Sequence, residues 1–165
     1  MTPSRTKPGW PSLLAWSVLV FAVAAAAAIA SVDSASFYAT LKRPSWAPPS
    51  SVFAPVWTVL YGSMAVAAWL VWRERGRVNT TAALTLFVVQ LALNGLWSWL
   101  FFAWRVGSLA FADIVLLCVL VIATIIAFWR VRRLAGALLV PYLAWIMFAT
   151  ALNYAVWQAN PGRLG

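Results

Sequence analysis

Five stretches of this chain are apolar and nearly free of charge: 11–32, 52–72, 79–104, 108–129 and 134–159. A helix of about 20 such residues crosses the hydrocarbon core of a bilayer. Lipid offers no hydrogen bonds, so a spanning segment must satisfy its own backbone groups, as a helix or as a closed barrel. A barrel strand would show period-two alternation over about ten residues, and none is sustained here. Hydrophobic residues make up 64% of the 165 and charged ones 9%, where a soluble domain has roughly half and a quarter. The prediction is an all-α membrane protein, a bundle of five transmembrane helices forming one domain over 1–165, with a long loop at 33–51.

The net charge of +9 does not point to nucleic acid. The cations stand in short clusters at the ends of the spans, where the positive-inside rule puts them. With five crossings, the side of the N-terminus receives Arg5, Lys7, Arg73, Arg75, Arg77, Arg130, Arg132 and Arg133, and the other receives Lys42, Arg43, Arg105 and Arg163. The imbalance makes the N-terminal side cytoplasmic, for a bacterial plasma membrane, and turns the 33–51 loop outward. Arg5, Lys7 and the small residues near 30–36 imitate a signal peptide, but the apolar run is too long for one, so it is read as the first span.

Within the first span Ala22, Ala26 and Ala30 recur every four residues, a face that permits close helix packing within or between subunits. Asp33 and Ser34 end that span. Trp69 and Trp72, followed by Arg73, have the pattern of interfacial anchors. Pro55 falls in the first turns of its span, whereas Pro141 lies inside the fifth, where a kink is expected. Cys118, the one cysteine, sits mid-span as a buried structural thiol.

Polar residues inside a span are costly and usually face the bundle interior. Gln90 and Asn94 are one turn apart, and Trp97, Ser98 and Phe101 continue their face. Trp57, Tyr61 and Met64 form one stripe, and Tyr142, Trp145 and Ala149 another, with Asn153 one turn on. Each stripe alone reads as core, and Gln90 and Asn94 could simply bond a neighbouring helix. Together the three stripes suggest a flat apolar cavity suited to a planar hydrophobic molecule. Asp113 either caps its helix at the interface or lines the cavity mouth.

The chain has no histidine, and no Cys/His cluster exists for zinc or haem. Neither a metal nor a cofactor is expected. A Ser/His/Asp triad is impossible and phosphate-binding glycine loops are missing, which excludes an ATP-driven pump in this chain.

The segments LKRPSWAPP, VWTVLYG, QLALNGLWSWLFF, AFAD and VPYLAWIMFATALNYAVWQAN resemble the TspO/MBR family in order and spacing. Its members are five-helix membrane bundles that bind tetrapyrroles such as protoporphyrin. The resemblance implies a lid at 33–51, whose proline–tryptophan motif falls on Pro44, Trp46, Pro48 and Pro49. It implies ligand-binding positions at Tyr38, Trp46, Pro48, Trp57, Tyr61, Asn94, Trp97, Ser98, Asp113, Trp145 and Ala149. Some relatives degrade protoporphyrin in light with two tryptophans matching Trp57 and Trp145, which would then be the catalytic pair. A homodimer is common in the family.

The family's sterol motif in animals needs a Leu or Val, a Tyr and then a nearby cation. Here Leu152 and Tyr154 are followed by Gln158, and Arg163 is too distant, which argues against sterol and for a bacterial member. Two functions follow from the resemblance: a porphyrin-binding translocator or sensor, or a light-dependent porphyrin-degrading enzyme. A third reading is a membrane scaffold with an incidental pocket. In the first two, the prolines of KRPSWAPP hold the lid extended and Trp46 seals it.

Overall fold

The computed structural model describes residues 9–165 of the chain; Arg5 and Lys7, and with them the start of the signal-like segment, lie outside the described residues. Those residues form α1 (Trp10–Ala30), α2 (Ser34–Thr40), α3 (Phe53–Trp72), α4 (Thr81–Ser98), α5 (Gly107–Val131), α6 (Arg133–Ala137) and α7 (Val140–Ala159). A 3-10 turn, Ser50–Val52, leads into α3, and a π-helical turn, Trp99–Ala103, continues α4. Counted with these continuations, five helical stretches are long and apolar enough to cross a membrane: Trp10–Ala30, Ser50–Trp72, Thr81–Ala103, Gly107–Val131 and Arg133–Ala159. No strand occurs among the described residues.

The bundle closes in the order α1–α4–α5–α7, and α3 packs on α1, α4 and the short α6. The core toward the α6 end buries Met64, Phe87, Phe128 and Leu139. Phe87 and Phe128 stack with ring centroids 5.7 Å apart. Trp16 meets both Trp72 and Phe87 edge-on, at 6.0 and 5.8 Å, and so fixes the start of α1 on α3 and α4. Such aromatic pairs add to the area they bury.

Two local expectations need correction. The 33–51 segment is not all loop, because Ser34–Thr40 is helical. That helix buries Phe37 and Tyr38, and tertiary burial is what a seven-residue helix needs to persist. Pro141 does not kink a continuous helix. The fifth span breaks at Leu138–Leu139, and Pro141 lies in the first turn of α7, where its missing N–H costs nothing. Of the two uses expected for the Ala22, Ala26 and Ala30 face of α1, packing within the bundle is not the one seen: Ala22 and Ala26 are exposed, Ala30 is half-buried, and the inward face carries Val20, Val23, Ala24 and Ala27.

Trp69 and Trp72 do sit at the end of α3, but as packed residues. Arg73 lies 4.7 Å over the Trp69 ring and Arg75 4.1 Å over Trp72. Cys118 is partly buried, its Sγ 3.5 Å from the Thr150 hydroxyl.

Candidate functional site: an aromatic cavity under the α1–α3 connection

At the end of the bundle opposite α6, the helices enclose a cavity of about 780 Å³. Its walls come from α1, α3, α4, α5 and α7, and its mouth from Ser34, Tyr38, Ser50 and Phe53. Small residues on α1 (Ala24, Ala27, Ala28) make one wall flat, and aromatics on the other helices make the rest. The volume falls within the range of sites for small organic ligands.

The sequence stripes divide at this cavity. Trp57 and Tyr61 line it, their rings 5.4 Å apart and tilted by 31°. Met64, one turn further, is buried core instead. Trp145 and Ala149 line it from α7, whereas Tyr142 lies behind the wall with no exposed surface. Asn94, Trp97, Ser98 and Phe101 line it from α4. Gln90 does not reach it; there the plain interhelical reading holds.

A chain of hydrogen bonds ties the polar groups together. The Tyr61 hydroxyl donates to Asn94 Oδ1 at 2.6 Å, Asn94 Nδ2 donates to the Tyr142 hydroxyl at 3.1 Å, and Tyr142 donates to Gln90 Oε1 at 2.9 Å. One asparagine thus joins α3, α4 and α7 behind the cavity. Trp97 Nε1 donates to Asn153 Oδ1 at 2.9 Å, a second α4–α7 tie, and Asn153 also lines the cavity. With their hydroxyl and indole donors satisfied, these rings present flat apolar faces in fixed orientations.

The connection over the mouth is held by aromatic contacts. Tyr38 meets Phe53 edge-on at 5.6 Å, Phe53 meets Trp145 at 6.0 Å, Trp145 lies 5.5 Å from Phe148, and Phe148 meets Trp46 at 5.8 Å. Trp46 itself is 50% exposed and does not line the cavity; it covers Phe148 from outside. Pro48 does not line it either, but its carbonyl accepts the Tyr38 hydroxyl at 3.2 Å. The Arg43 guanidinium lies 4.6 Å over the Tyr38 ring. Burial pushes the Tyr38 hydroxyl above the usual tyrosine range, with Arg43 opposing that shift.

Asp113 is buried on α5 and outside the cavity wall, and its Oδ2 has no hydrogen-bond partner among the described residues. Asp113 neither caps α5 nor lines the cavity.

Nothing in the residue pattern points to the α1 wall or to the turn after α7 that pins the connection. Phe53 had a faint signal, as an aromatic one turn before Trp57. Asn160, just past α7, accepts the Lys42 N–H on Oδ1 and returns a bond from Nδ2 to the Lys42 carbonyl, both at 2.9 Å. Arg163 donates to the Thr40 hydroxyl at 2.8 Å, and the buried Leu164 accepts the Gly107 N–H on its carbonyl at 3.0 Å. Arg105, in a left-handed conformation with φ 58°, lies 4.5 Å over Phe37.

A model of the TspO/MBR family matches residues 16–158. The chain is 44% identical over 131 residues to the translocator protein of Homo sapiens, 78% of each chain. It is 42% identical over 126 residues to the tryptophan-rich protein TspO of Chlorobaculum tepidum, 76% of this chain and 80% of the other. The third similarity is to protein CrtK of Rhodobacter capsulatus, 38% over 155 residues, 92% of this chain and 96% of the other. Animal and bacterial relatives are thus about equally similar.

Proposed function

Because the chain belongs to the TspO/MBR family, we propose that it is a membrane receptor that takes a tetrapyrrole such as protoporphyrin into the aromatic cavity. The observation that carries this reading is the cavity itself: about 780 Å³, with Trp57, Tyr61, Trp97 and Trp145 lining one space. A planar apolar macrocycle would gain stacking and area burial there. The propionates would lie toward the mouth, where Lys42 and Arg43 stand at the water boundary. Residues 41–51 would act as the lid, and their prolines would reduce the conformational entropy lost on closing. Porphyrin absorbance titration tests this: the wild type should bind saturably in the micromolar range, and Trp145→Phe should bind more weakly. Undiminished binding in that variant would place the ligand elsewhere.

A second reading is photochemical. Trp57 and Trp145 both line the cavity, so a bound excited porphyrin would lie against oxidisable indoles. Under this reading a new absorbing product forms in light, is absent in the dark, and fails to form in Trp57→Phe and Trp145→Phe. The same product in both variants would reject a tryptophan mechanism.

The positive-inside asymmetry supports an N-terminus in the cytoplasm of a bacterial plasma membrane. The exposed Ala22 and Ala26 face suits a homodimer contact. Reporter fusions at the two ends, and crosslinking through cysteines placed at 22 or 26, test these two points.

A further inference from the structure

At the end of the bundle away from the lid, the connection between α3 and α4 folds beside the first turns of α4. It borders an open groove of about 820 Å³, which shares no lining residue with the aromatic cavity. The groove has two chemically different parts. Its head carries Arg75, Arg77 and Thr81; its wall is Leu84, Val88 and Val89 of α4. Thr81, Leu84 and Val88 fall at i, i+3 and i+7, one helical face. Val88 and Val89 are 42% and 44% exposed, on a helix that crosses the bilayer.

The head is a net positive site. The connection holds Arg73, Arg75 and Arg77 against Glu74 alone. Glu74 is shared, with Arg132 at 3.4 Å and Arg77 at 3.8 Å, so it does not cancel the cluster. Arg75 is fixed over the Trp72 ring and donates one bond to the Trp72 carbonyl at 3.1 Å. A guanidinium has five N–H donors, so most of those on Arg75 are left for a ligand. Thr85 also lines the groove. Unlike Thr58, Thr124 and Thr150, which each donate to the carbonyl four residues earlier, its hydroxyl makes no such bond among the described residues.

We propose that this groove binds one anionic diacyl phospholipid, its phosphate between Arg75 and Arg77 and an acyl chain along Leu84, Val88 and Val89. Charge and shape together select that occupant. Guanidinium–phosphate pairing is strong and directional, and basic clusters at a membrane surface favour anionic headgroups. A free phosphate would leave the wall uncovered. A zwitterionic lipid would bring an ammonium group into the arginine cluster.

Native mass spectrometry of the full chain, released from nanodiscs with equal phosphatidylglycerol and phosphatidylcholine, tests the proposal. The wild type is expected to retain one phosphatidylglycerol in preference to phosphatidylcholine. Arg75→Gln with Arg77→Gln should reduce that preference at least about tenfold, the effect of two surface cations. Arg130→Gln with Arg133→Gln removes the same charge from the same end and should leave it unchanged. Val88→Trp, which fills the wall without altering charge, should also release the lipid; thermal unfolding checks that each variant is folded. Three results would overturn the proposal: no headgroup preference in the wild type, equal losses in the two arginine pairs, or displacement by millimolar inorganic phosphate with Val88→Trp silent. The last would mark a phosphate site with no lipid wall.

Discussion

The side-chain amide of Asn160 brackets the backbone of Lys42, accepting its N–H and donating to its carbonyl, both at 2.9 Å across 118 residues of sequence. A third bond, from Asn160 Nδ2 to the Val156 carbonyl at 2.7 Å, fixes the amide on the end of α7. The turn after α7 therefore holds down the segment proposed as the lid. Asn160→Leu removes both bonds to Lys42 while keeping the side chain's bulk. Net hydrogen-bond contributions near 1 kcal/mol each, about 2 kcal/mol together, give an expected acceleration of porphyrin dissociation of roughly thirtyfold, read by stopped-flow fluorescence. Arg163→Ala, which loses an exposed bond to Thr40, should have a smaller effect. An unchanged rate in Asn160→Leu would mean that the latch does not gate the ligand.

Gly107 supports the same latch from below. Its N–H holds the Leu164 carbonyl, and a Cβ there would lie 2.5 Å from Trp157 Cδ1 and 2.8 Å from that carbonyl oxygen. Gly107→Ala should therefore displace the turn after α7 and speed ligand loss as Asn160→Leu does. The two effects should combine to less than their sum, because both act through one element. Full additivity in the double variant would show that they act separately.

Asn94 joins three helices through Tyr61 and Tyr142. Asn94→Leu leaves the Tyr61 hydroxyl without a partner and removes the bond that Tyr142 accepts, while Tyr142 keeps its bond to Gln90; a buried orphan group costs about 1–3 kcal/mol. Asn94→Leu should thus lower the unfolding temperature in detergent more than Tyr61→Phe, which removes one end of the chain and leaves Asn94 bonded to Tyr142. Equal losses would mean that the chain contributes little beyond packing. Polar ties between membrane helices often average below 1 kcal/mol.

The Tyr38 hydroxyl should give the proposed lid a pH dependence. Burial raises its pKa above the ordinary value of about 10, so the folded state holds that proton more tightly than the unfolded chain. The bond from Tyr38 to the Pro48 carbonyl is fully present below about pH 10 and is lost as pH rises through the raised value. Porphyrin dissociation should be flat from about pH 6 to 9 and faster above about 10 in the wild type. In Tyr38→Phe it should be faster throughout, without the alkaline rise. An alkaline rise that persists in Tyr38→Phe would assign the effect to another group.

The spans and the aromatic stripes were legible because periodicity and span length are local properties of the sequence. What was not legible depends on contacts distant in sequence. Ser34–Thr40 lies in a stretch that reads as loop, and it is helical because Phe37 and Tyr38 find a buried site. Pro141 reads as a kink because its distance from a helix start is set by the break at Leu138–Leu139, which carries no sequence mark. Gln90 and Asn94 share a face, yet only Asn94 reaches the cavity, because the fully buried Tyr142 of α7 packs on Gln90 and bonds its side chain. Asn160 was unreadable for the simplest reason: its partner is 118 residues away.

The central claim is that the cavity beneath the lid is where the ligand binds. Ala149 lines it from α7 between Trp145 and Asn153, so Ala149→Trp would fill the space without breaking any hydrogen bond described above. The decisive measurement is a protoporphyrin titration of the folded Ala149→Trp variant beside the wild type. The account predicts saturable binding in the wild type and its loss in the variant, at an unchanged unfolding temperature. Wild-type affinity in the filled variant would contradict it.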